Sequence, residues 1–545
     1  MAEKIRLNRQ AIGLPLLVLC LAQFLASADN VTLSIATSAL IRDLGASMSQ
    51  ISTANTMYPL VAGTFMIAGG MLGLIIGWRK TFRTGCILYF LAEIIAVFSP
   101  SITVFIWAAR ILAGIGGSLM IPAVFGIITG SFQGREQAIA FGALGAASGF
   151  SFAMGPVLCG LLLDTLGWRW AFGVLAGLAI VILVCSSRVP SPSKPEKRVN
   201  FDFAGFILST LGLFLVVFGI LQISTWGLIT PFNPPFTFFG LSPALMLVAS
   251  GLLILVVVLR WEKFRETVTG SAMIPQSFLR TAQVRAGLYL TMYIFFAYSS
   301  GIFVVVSFVQ VVAGLDAVHT GLMIIPFAVC LAGSSMGLPL IFRQRNPRRQ
   351  CRAGLLLGMA GSAITALGIH GLSFNTTIVT SGLCLIGASM GTVAANAPFL
   401  ITSALPERDA QQSGGIQAAA RDIGQALGVA LVSMVMLTAM TFSMKKFTAE
   451  VSTMSPQTFQ TVKNLTVIPY LSDAGFELMI VKEGANPQDL VALTPIYQRS
   501  RARVTRAGLF SMTIMTLLFL MGTGKIPVTL EGSDSNVGKH EKVNY

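Results

Sequence analysis

The chain has 545 residues, 54% of them apolar and only 11% charged, with apolar runs along nearly its whole length. That pattern points to an all-α polytopic membrane protein and excludes most soluble classes. The net charge of +15 would suggest nucleic acid in a soluble protein, but here the basic residues gather in particular loops. They report topology, and no nucleic-acid partner is implied.

Fourteen apolar runs can be drawn, at roughly 11–38, 52–75, 82–99, 103–129, 138–162, 169–187, 204–224, 241–260, 284–311, 319–342, 353–371, 376–403, 414–440 and 506–525. Most approach or exceed the roughly 20 residues that cross a hydrocarbon core of about 30 Å. Alternate loops are basic: Lys4, Arg6 and Arg9; Arg79, Lys80 and Arg83; Arg188, Lys194, Lys197 and Arg198; Arg260, Lys263, Arg265, Arg280 and Arg285; Arg343, Arg345, Arg348, Arg349 and Arg352. By the positive-inside rule these loops and both termini are expected in the cytoplasm. The loop 441–505 should be external yet carries seven basic residues, a weak objection because long loops cross largely regardless of charge. The seven cysteines fall in runs or at the loop near 351, so no disulfide framework is implied. The first run is too long for a signal peptide and reads as a retained helix.

Asp29 interrupts the first run, where an unpaired carboxylate in lipid would cost several kcal/mol, so it must face protein or water. It suits a proton-coupling site; a structural ion pair is the plain alternative. After the second run comes Gly70-Met71-Leu72-Gly73-Leu74-Ile75-Ile76-Gly77-Trp78-Arg79-Lys80. Glu93 lies in the third run and Arg110 opens the fourth, followed by Gly114, Gly116 and Gly117. At about 1.5 Å per residue, Asp29, Glu93 and Arg110 lie roughly 14, 9 and 11 Å from the outer ends of their runs. They can share one layer, in which a proton moves while one carboxylate stays paired with the arginine. In the fifth run Gly145, Gly149 and Ala153 recur every four residues, leaving a face that another helix can approach closely. Gly155-Pro156, before Gly160, should bend that helix.

The order Gly145, Gly149, Gly155-Pro156, Gly160 resembles the fifth-helix signature, motif C, of antiporters in the major facilitator superfamily. Gly70 to Lys80 resembles the superfamily's motif A incompletely, with Leu74 in place of its aspartate and Ile75 in place of its arginine. The resemblance makes Gly70, Gly77, Arg79 and Lys80 a conformational latch, and the two departures put its charge–dipole part in doubt. Arg110 and the glycines after it resemble motif B. Trp168-Arg169-Trp170-Ala171-Phe172, Asn200 to Gly205, His319 to Pro326 and Gln417 to Gly428 are similar to segments of the 14-span drug:proton antiporter family. The resemblance implies a major facilitator fold with 14 transmembrane helices: a six-helix bundle (1–187), a linker (188–203), two inserted helices (204–260), a linker (261–283), a second six-helix bundle (284–525) and a cytoplasmic tail (526–545). Asp202 reads as an N-cap.

In the second half, Asp422 beside Arg421 reads as a boundary ion pair, and Asn396 and Gln417 offer neutral hydrogen bonds to a substrate or to neighbouring helices. The lone His370 at a run end reads as solvated. The loop 441–505, with four prolines, should form an ordered external hairpin or short helices; its segment Leu465 to Leu471 would touch the membrane surface or an envelope partner. No phosphate-binding loop, metal-ligand cluster or nucleophile–base pair stands out, so neither a cofactor nor enzymatic activity is expected and a proton gradient is the simpler energy source. The sequence reads as a multi-pass cytoplasmic (inner) membrane antiporter that exports lipophilic, often cationic drugs in exchange for protons, with Asp29, Glu93 and Arg110 as coupling residues. Two alternatives stand: a dedicated exporter of a metabolite, peptide or lipid, and a non-transporting sensor or assembly protein on the same fold.

Overall fold

The computed structural model describes residues 2–526 apart from 47, 193–200, 230, 232–233, 238–239, 271, 316, 342–345, 372 and 451–453. Lys194, Lys197, Arg198, Arg343, Arg345 and the expected tail beyond Ile526 lie outside the described residues. Among these, fourteen long helices follow in order: α1 (Ala2–Leu44), α2 (Met48–Ile76), α3 (Trp78–Val97), α4 (Ile102–Ser131), α5 (Gly134–Thr165), α6 (Trp168–Cys185), α7 (Phe203–Trp226), α8 (Pro243–Thr269), α9 (Ala282–Val312), α10 (Ala317–Ile341), α11 (Pro347–Leu367), α12 (Thr376–Ser403), α13 (Glu407–Ala449) and α14 (Leu490–Gly522). Twelve are long and apolar enough to cross a membrane. The other two, α3 and α11, have 20 and 21 residues but open on Arg79, Lys80 and Arg83, and on Arg348, Arg349 and Arg352.

The helix ends follow from local chemistry. Ser101, Asp202, Ser242, Asn346 and Asn375 each accept a first-turn N–H with the side chain, which satisfies a donor the helix leaves open. Asp202 does more than cap α7, because Trp261 Nε1 donates to it at 2.9 Å and Arg265 pairs with it at 2.9 Å, tying α7 to α8. Between α2 and α3 stands one residue, Gly77, at φ 100, a conformation that glycine adopts without steric cost. The corner is therefore very tight.

Helices α1–α6 enclose one core and α9–α14 another, while α7 and α8 pack on each other and α7 rests on α2 and α13. The halves meet mainly where α5 lies along α10 and α13 lies along α2 and α4. Small residues permit both approaches. A Cβ on Gly142 of α5 would stand 2.5 Å from the Ser335 carbonyl oxygen of α10, and one on Gly70 of α2 would stand 3.1 Å from Gly415 Cα of α13.

Helices α13 and α14 run well past the apolar runs at 414–440 and 506–525, and a cap joins them. It contains two short helices, Pro456–Asn464 and Asp473–Lys482. Phe476 stacks on Tyr497 with centroids 3.8 Å apart, over buried Val462, Ile468 and Ile480. Arg501 pairs with Asp473 and donates to the Leu471 carbonyl at 2.9 Å. The segment Leu465 to Leu471 thus turns Ile468 into the protein's own core, and its Leu471 N–H donates to Tyr497 OH at 2.6 Å. Thr466 in the same segment is exposed. His370 sits exposed on a two-residue antiparallel pairing with Ser373–Phe374.

Gly142→Val should lower stability by about 1–3 kcal/mol, the cost of overpacking a close helix contact. Thermal unfolding in detergent would measure it, and an unchanged midpoint would contradict the α5–α10 approach described here.

Candidate functional site

A sealed polar cluster lies inside the first bundle, where α1, α2, α3 and α4 converge. Arg110 Nη1 donates to Asp29 Oδ1 at 2.6 Å, and Tyr89 OH donates to Asp29 Oδ2 at 2.8 Å. Both members of the ion pair are sealed, at 0% exposure for Asp29 and 1% for Arg110. The Arg110 guanidinium also lies 5.2 Å from the centre of the Tyr58 ring of α2. Arg110 is the last residue of a π-helical stretch, Phe105–Arg110, whose extra residue per turn shifts the side chains that follow. Gly114 and Gly117 come next; a Cβ on either would meet Val61 or the Tyr58 hydroxyl at 2.7 and 2.9 Å, so these glycines let α2 and α4 close around the pair.

Glu93 lies one turn beyond Tyr89 on α3, within electrostatic reach of Asp29 and Arg110. It is 1% exposed, and neither carboxylate oxygen has a hydrogen-bond partner among the described residues. Arg110 Nε and Nη2 are likewise buried and unpartnered. A charged carboxylate without partners is too costly in such a place, whereas a protonated one beside spare guanidinium donors is tolerable. The structure therefore gathers Asp29, Glu93 and Arg110, and adds Tyr89 and Tyr58, which sequence reasoning did not select. A tyrosine in an apolar run carries no charge to mark it.

Of the expected latch, Gly70 abuts Gly415 and Gly77 makes the α2–α3 corner. Arg79 donates to the Ser187 carbonyl and Lys80 is exposed, so neither basic residue joins the two halves. That work falls to Trp78, which is buried and donates its Nε1 to Gln411 Oε1 at 2.9 Å. Leu74, in the place of motif A's aspartate, is buried. The contact across the halves is thus neutral. Ser335 Oγ, bonded to the Gly142 carbonyl at 3.0 Å, closes the same end.

Along α5, Gly145 and Gly149 face α10 and α12: Cβ atoms there would meet Ala394 at 3.4 Å and Leu331 at 2.9 Å. Gly155 instead faces α1, against Val31 at 2.9 Å, and Gly160 is buried. Helix α5 is continuous through Pro156. Two cavities lie between the halves. The larger, about 330 Å³, opens on the side away from Trp78 and is lined by Asn30, Pro156, Tyr298, Gln310, Thr320 and Gln425 among others. The smaller, about 70 Å³, is lined by Gln23, Phe141, Ser148, Phe295, Leu331 and Arg421 among others. Asp29, Glu93 and Arg110 line neither.

The residues expected in the second half stand apart from these cavities. Asn396 donates to the Thr392 carbonyl at 2.8 Å, and Gln417 to Ser413 Oγ at 2.8 Å. Asp422 does pair with Arg421, at 3.1 Å, but 15 residues into α13 rather than at its boundary, because Gly63 of α2 leaves room for its carboxylate. Arg421 reaches the smaller cavity, with its guanidinium 5.3 Å from the Phe295 ring centre.

Residues 19–429 match the profile of the Major Facilitator Superfamily. The chain belongs to the major facilitator superfamily. Among its relatives there, it is 28% identical over 421 residues to a probable actinorhodin transporter of Streptomyces coelicolor, covering 75% of this chain and 70% of that one. It is 24% identical over 424 residues to the tetracenomycin C resistance and export protein of Streptomyces glaucescens, covering 77% and 75%. In structure it resembles the human organic anion transporter MFSD10 (TETRAN), with a TM-score of 0.58 over 94% of this chain and 99% of that one. At 12% identity that is a likeness of fold. Superfamily members are transporters, not enzymes.

Arg110→Ala should destabilise the protein by about 3–5 kcal/mol, since it strands a buried carboxylate. Tyr89→Phe should cost about 1–3 kcal/mol through one lost hydrogen bond to a charge. Unfolding midpoints in detergent decide the matter: equal effects of the two variants would contradict the pairing.

Proposed function

We propose that the chain is a proton-coupled antiporter that exports lipophilic small molecules across the cytoplasmic membrane, with fourteen spans and both termini in the cytoplasm. The observation that carries this reading is a partnerless buried carboxylate, Glu93, beside the sealed Asp29–Arg110 pair. Such a group holds a proton when the bundle is closed and must release it or find a cation when the bundle opens. One relative's name, which speaks of resistance to and export of tetracenomycin C, supports the outward direction, and both names equally suit a transporter dedicated to one compound.

In this mechanism Glu93 carries the proton. Asp29 stays bound to Arg110 and Tyr89, and the spare Arg110 donors receive the Glu93 carboxylate once its proton has left. That exchange draws α3 and α4 into a second arrangement around α1. Helix α1 passes the change to α5 through Gln23 Nε2, which donates to Ser148 Oγ at 2.9 Å, and through the packing of Val31 on Gly155. Because α5 lies on the boundary between the halves, its packing biases their rocking. In this reading substrate and proton do not compete directly at Asp29, which lines neither of the two cavities described above.

The test is substrate accumulation in everted vesicles driven by an imposed pH gradient, at matched expression. Glu93→Gln should abolish gradient-driven accumulation, at least tenfold, while exchange of substrate between the two faces persists. Undiminished, uncoupler-sensitive accumulation by Glu93→Gln would move the proton away from this site.

A further inference from the structure

The two cavities between the halves touch at one residue, Phe152 of α5, which lines both. Its ring lies face to face with Tyr298 of α9, with centroids 3.5 Å apart and planes 20° from parallel, so the aromatic pair spans the boundary between the bundles. Face-to-face stacking of two such rings is less favourable than an offset or edge-on arrangement. A flat ring entering the larger cavity, which both residues line, meets this pair where offset and edge-on contacts are open to it. The larger cavity, at about 330 Å³, stands at the lower end of the range for small-molecule sites.

Charge decides what else that molecule carries. Among the described residues no carboxylate lines either cavity. The larger one offers neutral amides and hydroxyls, such as Asn30, Gln310, Thr320 and Gln425. The smaller one presents a cation, Arg421, whose partner Asp422 does not line it and packs instead toward Gly63 of α2. Aromatic walls by themselves attract cations. Here, however, the Phe295 face is already occupied by the Arg421 guanidinium, so an entering cation meets like charge, while Asp422, which pairs with Arg421 at 3.1 Å, does not line the cavity and offers that cation no contact.

We propose that the transported molecule is a flat, fused aromatic compound that is uncharged or anionic, stacked at the level of Phe152 and Tyr298, with Arg421 holding its negative group. This rests on the export reading and replaces its expectation of cationic substrates.

The experiment uses one ring system in two charge states: pyrene bearing a sulfonate and pyrene bearing a trimethylammonium, each offered to everted vesicles containing the full chain under an imposed pH gradient. The sulfonate should accumulate at least tenfold faster than the ammonium form at equal concentration. Arg421→Gln should erase that preference and Arg421→Lys should keep it. The comparison within the natural chain needs no variant to fold. Equal or faster movement of the ammonium form would overturn the inference and leave proton-coupled export standing. Loss of both movements equally in Arg421→Gln, with the protein folded, would also overturn it. If the natural chain moves neither pyrene nor any of several neutral dyes, the export reading falls and the inference with it.

Discussion

A carboxylate and a guanidinium 2.6 Å apart, both shut away from solvent, impose the arrangement of the first bundle. Neither partner can be left alone at that depth, so the helices that carry them, α1 and α4, are bound to one register. The surrounding residues follow from that requirement. Tyr89 supplies the second oxygen of Asp29 with a donor, Tyr58 lies under the cation, and glycines on α4 admit the helix that carries Tyr58. The pair adds little net stability over a well-packed apolar core, but its disruption is expensive, and that asymmetry fixes one geometry against its neighbours.

The separation of the Asp29, Glu93 and Arg110 cluster from the cavities has a mechanical meaning. If the ionisable groups faced the space between the halves, substrate and proton would compete for the same atoms. They are instead buried within one bundle, so any influence on the cavity passes through helix contacts. Helix α5 is suited to that task, because its glycines place one stretch against α10 and α12 and another against α1. A change of packing on either side is felt on the other, since close-packed interfaces settle into discrete arrangements and do not deform smoothly.

Much of this was legible in the sequence where the physics is one-dimensional. Runs of apolar residues located the long helices, although α1, α8, α13 and α14 extend well beyond theirs, and a charge inside such a run, as at Asp29, Glu93 and Arg110, announced itself by its cost. Close-packing glycines on α5 were visible from their spacing. What was not legible depends on residues far apart in the chain or on unmarked side chains. Trp78 meets Gln411 across 333 positions, and nothing in either segment names the other. The depth of Arg421 and Asp422 was misjudged because α13 begins at Glu407, before its apolar run, and carries polar residues into the bundle's interior. The mixed composition of 441–505 left a hairpin and short helices both open; the structure has short helices that start on Ser455 and Ser472, which cap them in the ordinary way.

The neutral bond between Trp78 and Gln411 also sets how this closure responds to its surroundings. Latches built from a charge and a helix dipole weaken as dissolved ions screen them, over a distance of about 8 Å at physiological ionic strength. A buried indole donating to an amide, backed by glycines in contact on α2 and α13, holds by shape and short-range geometry alone. This contact, unlike a charge–dipole latch, therefore gains nothing from low salt, and its strength is written into the fit of two helices.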